Sequence, residues 1–486
     1  MWQDHSRIVL ILTLGTQRIH FLKVFLQEVI NRRMRKNNKS RNVDMLNGPL
    51  AGPIIMFALP LAFSSMLQQL FNAADTAVVG RFASSQAMAA VGSNSSVINL
   101  VVALFVGLSV GTNVVIAGLI GRGRREEIPS ALHTAVLVAM ISGVLLLFVG
   151  IGIARPMLTL MNTPEDVLDL AVLYLRIYFL GMPFIMLYNF GSAILRSKGD
   201  STRPVYALLC GGILNVLLNL LLVIVFHLHV IGVAAATVTS NLVSSFLVLW
   251  FLMHEEDEFR LEWKKLHINP GYLGLMVRIG LPAGLQGVVF SLSNTVIQSG
   301  VNSFGSAASA GSAAALNFEI IAFYIVNAFN QATVTFTSQN YAAGKYDRCR
   351  KIFRLAMLFT LIGTGTMDYI FIAAKDFTLS IFTTDPRVME YAVIRFTHIL
   401  AFQWMVSSYE ISGSAMRGMG YSMTPTLITI FGTCVFRIFW VLTLFPMHRS
   451  FGFLLYVYPV SWLITGSLVL VTYFLIRKRA MRAINE

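Results

Sequence analysis

Long apolar runs separated by short charged or turn-rich segments set the pattern of this chain. They fall near residues 53–79, 89–118, 131–153, 168–195, 204–226 and 231–252. A second set lies near 272–300, 309–341, 352–373, 388–416, 424–446 and 452–476. Each run is close to or above the roughly 20 apolar residues that carry a helix across a hydrocarbon core of about 30 Å. Lipid offers no partner to a backbone amide, so a helix, which satisfies its own, is the expected element. The pattern predicts an all-α integral membrane protein of twelve transmembrane helices, six in each half. The segment 254–270 between the halves holds Glu255, Glu256, Asp257, Glu258 and Glu262 beside basic residues, and reads as a solvated amphipathic linker.

The two halves are copies. Arg196-x-x-Gly199-x-Ser201-x-x-Pro204 returns 221 residues later as Arg417-x-x-Gly420-x-Ser422-x-x-Pro425. The same offset pairs Gly123 with Gly344, Thr163 with Thr384 and Ala171 with Ala392. Shifted by one residue, it pairs Leu59-Pro60 with Leu281-Pro282. A repeat of this length is a whole helical bundle. Six helices return the chain to its starting side, so the repeats are parallel, related by an axis along the membrane normal. The expected domains are a basic N-terminal segment 1–44, a first lobe 45–253, the linker 254–270, a second lobe 271–476 and a tail 477–486. Two such lobes facing a central cleft suit alternating access by rocking.

Composition agrees with the membrane assignment: 56% of the 486 residues are hydrophobic and 12% charged, with mean hydropathy +0.69. The charge orients the bundle. Arg122, Arg124 and Arg125, then Arg196, Lys198 and Arg203, then Arg260, Lys264 and Lys265 fall on one side. Lys345, Arg348, Arg350 and Lys351 and the tail Arg477, Lys478, Arg479 and Arg482 join them there. Arg81, Arg155, Lys375, Arg387 and Arg449 fall on the other. The positive-inside rule makes the first side cytoplasmic, with both termini inside and the plasma membrane as the location. The net charge of +14 is thereby a topogenic signal beside anionic lipid rather than a nucleic-acid footprint.

Several stretches are similar to hallmarks of the multidrug and toxic compound extrusion (MATE) transporters. They are Asp75-Thr-Ala-Val-Val-Gly80 with Ala89-Ala-Val-Gly92, Gly107-Leu-Ser-Val-Gly-Thr-Asn113 running on to Gly121-Arg-Gly-Arg, Arg196-Ser-Lys-Gly199-Asp-Ser-Thr-Arg-Pro204, and Gln339-Asn-Tyr-Ala-Ala-Gly344-Lys. The resemblance spans residues 45–476. It implies a V-shaped twelve-helix monomer that exchanges H+ or Na+ for amphiphilic, often cationic, small molecules. A lipid or lipid-linked saccharide flippase of the same superfamily is the alternative. Residues 1–33 precede the place where family members start, near Met34. They read as an upstream misassigned start, a signal peptide with a short apolar core at Ile8–Leu14, or a basic interfacial helix around Arg18, Lys23, Arg32 and Arg33.

No nucleotide-binding Gly-x-x-x-x-Gly-Lys-[Ser/Thr] loop is present, so ATP is not the direct fuel. No catalytic constellation and no cofactor motif stands out, and an enzyme is not expected. Cys210, Cys349 and Cys434 are too scattered for a metal site or a disulfide framework. Work then comes from an ion gradient, which directs attention to acids at membrane depth. An ionisable group there costs roughly 2.5–3.5 kcal/mol on insertion scales.

Asp75 is the carboxylate well inside a first-lobe span. Gln68, Asn72 and Asp75 follow i, i+4, i+7 spacing, and Asn215 and Asn219 are i, i+4 on the fifth span. Together they offer one charge and neutral amide groups to a proton or a sodium ion. The resemblance gives Asp75 the role of coupling acid. Some family members carry Asp where Asn219 stands, and the sodium-coupled branch has an acid near position 290, where this chain has Phe290. Both departures favour protons.

In the second lobe the position matching Asp75 is Val296 or Ile297, so the acid is not duplicated. Glu319, without an evident positive neighbour, is a candidate second proton site or attraction for a cationic substrate. Glu410 and Arg437 are nearly equidistant from the turn at Met423, which predicts a buried ion pair. Asp368 is expected to snorkel to the outer surface. Pro60 and Pro282 remove one intrahelical hydrogen bond each and are candidate hinges.

Overall fold

A computed structural model describes residues 43–82, 85–161, 163–255 and 258–482. The three readings of residues 1–33 lie outside it. The described residues from Asp44 onward form one compact unit. The transmembrane elements are α1 (Ala51–Phe82), α2 (Ser85–Gly121), α3 (Ile128–Leu160), α4 (Glu165–Leu180 with Met182–Ser197), α5 (Thr202–Asn219, continuing through Leu220–Val225) and α6 (His229–Met253). The second lobe holds α7 (Pro270–Asn302), α8 (Ser306–Ala342), α9 (Tyr346–Ala373), α10 (Pro386–Gln403 with Val406–Gly418), α11 (Met423–Thr429, continuing to Met447) and α12 (Phe451–Leu455 with Val457–Arg482). Ten of these are long and apolar enough to cross a membrane, and α4, bent by 46°, makes an eleventh. The broken α10 takes the twelfth place.

The duplicated glycines explain why the repeat is visible. Gly199 and Gly420 have φ of 102° and 91°, and Gly123 and Gly344 both have 71°. Each lies just beyond a helix, in the left-handed conformation that glycine adopts without penalty. The capping bonds repeat as well: Asp200 N–H donates to Leu195 O at 3.1 Å, and Tyr421 N–H to Met416 O at 2.9 Å. The duplicated prolines leave α1 and α7 unbroken, for both helices run through them. Wide π turns occupy matching places instead, at Leu220–Val225 in α5 and Trp440–Leu444 in α11. Such turns recur at functional sites.

Glycines also join the lobes. A Cβ on Gly107 would stand 2.2 Å from Gly284 N, one on Gly111 would meet Met276 O at 2.2 Å, and one on Gly280 would meet Leu108 Cα at 2.5 Å. The backbones of α2 and α7 therefore touch, as small-xxx-small pairs permit in membranes. Polar bonds extend this seam toward the basic end: Thr335 to Asn113 Oδ1 at 3.1 Å, Ser338 to Val114 O at 2.8 Å, and Gln339 to Ser197 O at 2.6 Å. The entry to α1 belongs to the same seam. Met45 is buried, and its carbonyl accepts from Asn340 at 2.9 Å and from Arg348 at 3.2 Å, both in the second lobe.

The linker is amphipathic, with Arg260, Lys264 and Lys265 facing solvent and its apolar side docked. Phe259 and Leu261 are buried. Glu255 pairs with Lys198 at 2.7 Å and with Arg203, and the Glu262 amide donates to His133 at 3.1 Å. Apolar positions hidden among charges, together with cations supplied by the first repeat motif, dock it onto the first lobe.

Gly111→Ala is expected to destabilise the protein by about 1–3 kcal/mol through overpacking against a backbone that cannot yield. Gly118→Ala, whose nearest neighbour would be Ser338 Oγ at 3.8 Å, is expected to be neutral. Melting temperatures in detergent compare the two; equal melting would remove the glycine seam from the account.

Candidate functional site

Asp75 projects from α1 toward α5 and α6, where it is 8% exposed. Its partners are one helical turn apart. Asn219, fully buried, donates Nδ2–H to Asp75 Oδ1 and to Asn215 Oδ1 at 3.2 Å. Thr237 Oγ1 lies 3.4 Å from Asp75 Oδ2 and 3.0 Å from its own helix's Val233 carbonyl. A hydroxyl has one hydrogen to give. Thr237 can give it to Asp75 Oδ2 or to the Val233 carbonyl, while its own oxygen accepts from Asn215 Nδ2 at 3.4 Å. Among the described residues no Lys or Arg forms an ion pair with Asp75. Tyr174 and Tyr178 of α4 stack at a centroid distance of 6.2 Å within its electrostatic reach.

Asn215 and Asn219 thus join Asp75, as their i, i+4 spacing implies, while Gln68 and Asn72 are exposed on α1. Thr237 is the member that spacing misses. Its only signal in the sequence is a polar position on an apolar span. Among the described residues no group of three His, Cys, Asp or Glu could hold a metal ion.

The second lobe is wired differently from the expectation. Glu319 does have a cation: Arg395 of α10 grips it with two bonds of 2.6 and 2.9 Å, both side chains being buried. The two are 76 residues apart, beyond local reasoning. Glu410 and Arg437 do not pair. Glu410 accepts from Asn330 of α8; Arg437 donates to Ser461 Oγ at 3.1 Å and Asn294 Oδ1 at 3.2 Å, between the rings of Phe290 and Tyr458. Their levels match across the turn, but the break in α10 and the π turns of α11 rotate the two side chains onto different neighbours. Asp368 does not snorkel; it is 0% exposed.

One relation was hidden in the repeat. Tyr458 and Ser461 around Arg437 stand at the 221-residue offset from Thr237 and Ser240, and Asn294 matches Asn72 with the one-residue shift. Arg437 itself matches Val216, and the position matching Asp75 is apolar, so the acid of the first lobe has no counterpart in the second.

The family model described as MatE matches residues 60–221 and 282–442, one block in each repeat. The Bacillus subtilis protein named probable multidrug resistance protein YoeA is 28% identical over 386 residues, 77% of this chain and 83% of that protein. A Shewanella oneidensis protein named FAD transporter is 27% identical over 71% of this chain and 77% of its own length. The crystal structure of MATE in the bent conformation superposes with a TM-score of 0.84 at 20% identity, covering 91% of this chain and 99% of that one.

Arg395→Met is expected to cost about 3–5 kcal/mol by leaving Glu319 charged and alone. The double variant Glu319→Gln/Arg395→Met is expected to recover most of that loss. Thermal unfolding in detergent reads both, and equal losses in the single and double variants would mean that the pair is not the origin of the effect.

Proposed function

The chain belongs to the MATE family of transporters, and we propose that it is a secondary active antiporter exporting amphiphilic or cationic small molecules in exchange for protons. One observation carries the proposal. Asp75 is an acid at membrane depth with amide and hydroxyl partners and, among the described residues, no ion-pairing cation. An acid so placed is retained where it binds and releases an ion. Asn219 turns its NH2 group toward the carboxylate and Asn215 turns its oxygen toward Asn219. That order suits an exchangeable proton better than a ring of oxygens around sodium.

In this reading the basic loops face the cytoplasm of a plasma membrane, and the seam between the lobes lies on that side. Closure there corresponds to a state open outward. In the cycle, protonation of Asp75 removes the charge that a cationic substrate taken up from the cytoplasm would neutralise, so proton and substrate displace each other. Pro60 lies on the same helix about four turns away and gives α1 freedom to respond. The chain acts as a monomer surrounded by lipid. An anionic cargo is a second reading, favoured by Arg437, which is buried without a carboxylate partner among the described residues.

Proteoliposomes loaded with a fluorescent cationic dye separate these readings. A pH gradient alone is expected to drive efflux in the wild type and at least about tenfold less in Asp75→Asn. Dye movement driven by a Na+ gradient alone would contradict proton coupling, and movement of FAD but not the cation would support the second reading. Pro60→Ala is expected to slow pH-driven efflux several-fold while leaving dye binding intact; full transport would rule out the bend as an obligatory step.

A further inference from the structure

Asp368 lies on α9, fully buried, and neither carboxylate oxygen has a hydrogen-bond partner among the described residues. Thr364, one turn earlier on the same face, is also fully buried with its hydroxyl unpartnered. The packing of α9 on α10 is set by Tyr369, whose hydroxyl lies 3.4 Å from Ala401 O, and by Gly365, whose Cβ would meet Trp404 at 3.9 Å. These contacts set Asp368 and Thr364 at the depth of the segment 401–404, on a face of α9 roughly 100° around the helix from the one that touches it. Gln403 in that segment binds Glu319 O at 2.7 Å through its NH2 and keeps its own oxygen unpartnered.

The charges around Asp368 are few. From α8 it faces the like charge of Glu319. Arg395 of α10 is committed to that same Glu319 by two bonds. From the second part of α10, Glu410 turns to Asn330. Lys375 starts the short helix beyond the end of α9. The Glu319–Arg395 pair is neutral, so an ionised Asp368 would leave a net negative charge at a fully buried place where neither of its oxygens accepts a hydrogen bond. A buried ion without partners costs several kcal/mol. A proton removes that cost by leaving the carboxyl neutral. Three oxygen-bearing side chains fall short of the roughly six oxygens that hard cations gather.

We propose that Asp368 is a proton-binding site of the second lobe, separate from Asp75, and that it carries a proton as a neutral carboxylic acid in this conformation. The acid lies on α9 at the level of the break in α10. There the amides of Met405, Ser407 and Ser408 bond three residues back, to Phe402, Trp404 and Met405. Loss of the proton would therefore create a demand for donors beside a helix already broken, which links the charge of Asp368 to the bend. The site stands independently of whether Asp75 couples transport.

Infrared difference spectra between acid and alkaline pH, taken on protein in lipid nanodiscs, test this. The wild type and Asp75→Asn are expected to share a carboxylic-acid C=O band that Asp368→Asn lacks. Superimposable wild-type and Asp368→Asn spectra would overturn the proposal. So would a band that responds to Na+ at fixed pH, which would make the site a sodium site. Asp75→Asn protein labelled with 13C-aspartate reads the band without altering Asp368. The absence of any label-shifted acid band at neutral pH in that sample would equally overturn it.

Discussion

Everything in this bundle answers to one constraint: a charge or polar group inside the membrane has no water to fall back on. The backbone meets it by being helical almost throughout, with breaks only where neighbours or wide turns absorb the loss. Side chains meet it by pairing. Glu319 has Arg395, Lys198 and Arg203 share Glu255 at the basic end, and Arg437 lies between aromatic rings with Ser461 and Asn294. Asp75, Asp368 and Glu410 meet it without an ion pair among the described residues, Asp75 and Glu410 through amide donors and Asp368 with no donor at all. An acid in that position is stable when a proton sits on it and costly when it does not, which makes it responsive to the gradient across the membrane.

The duplication supplies the frame and then departs from itself at the working positions. Glycines that end helices at the basic side recur with matching φ, because both copies make the same turn. The seam of Gly107 and Gly111 on Gly280 and Gly284 holds the lobes so close that backbone meets backbone. A contact of that kind opens only by rigid movement of one lobe against the other. Around Asp75 and Arg437 the copies differ: a buried acid marks one lobe and a buried cation the other.

The fold was legible because its signals are local. Apolar run lengths, the basic loops and the repeated Arg-x-x-Gly-x-Ser-x-x-Pro motif carry the twelve helices and the parallel halves. Spacing also carried Asn215 and Asn219, which lie on one face of α5. What it could not carry were pairings across helices far apart in sequence: Thr237 on Asp75, Arg395 on Glu319, Asn330 on Glu410. The Glu410–Arg437 pair failed for a geometric reason, since equal depth does not give a shared face once a break and π turns intervene. The snorkelling of Asp368 failed because it falls on the buried face of α9 with Thr360 and Thr364, while its neighbours Tyr369 and Ile370 take the exposed side.

If proton and substrate displace each other at a common charge, binding of a cationic probe must depend on pH. The most direct measurement is the dissociation constant of tetraphenylphosphonium for the purified protein across pH, in the wild type and in Asp75→Asn. The account predicts that wild-type affinity weakens toward acid pH, approaching about tenfold per pH unit for one displaced proton, and that the variant is insensitive to pH. A wild-type affinity unchanged across the range would contradict it.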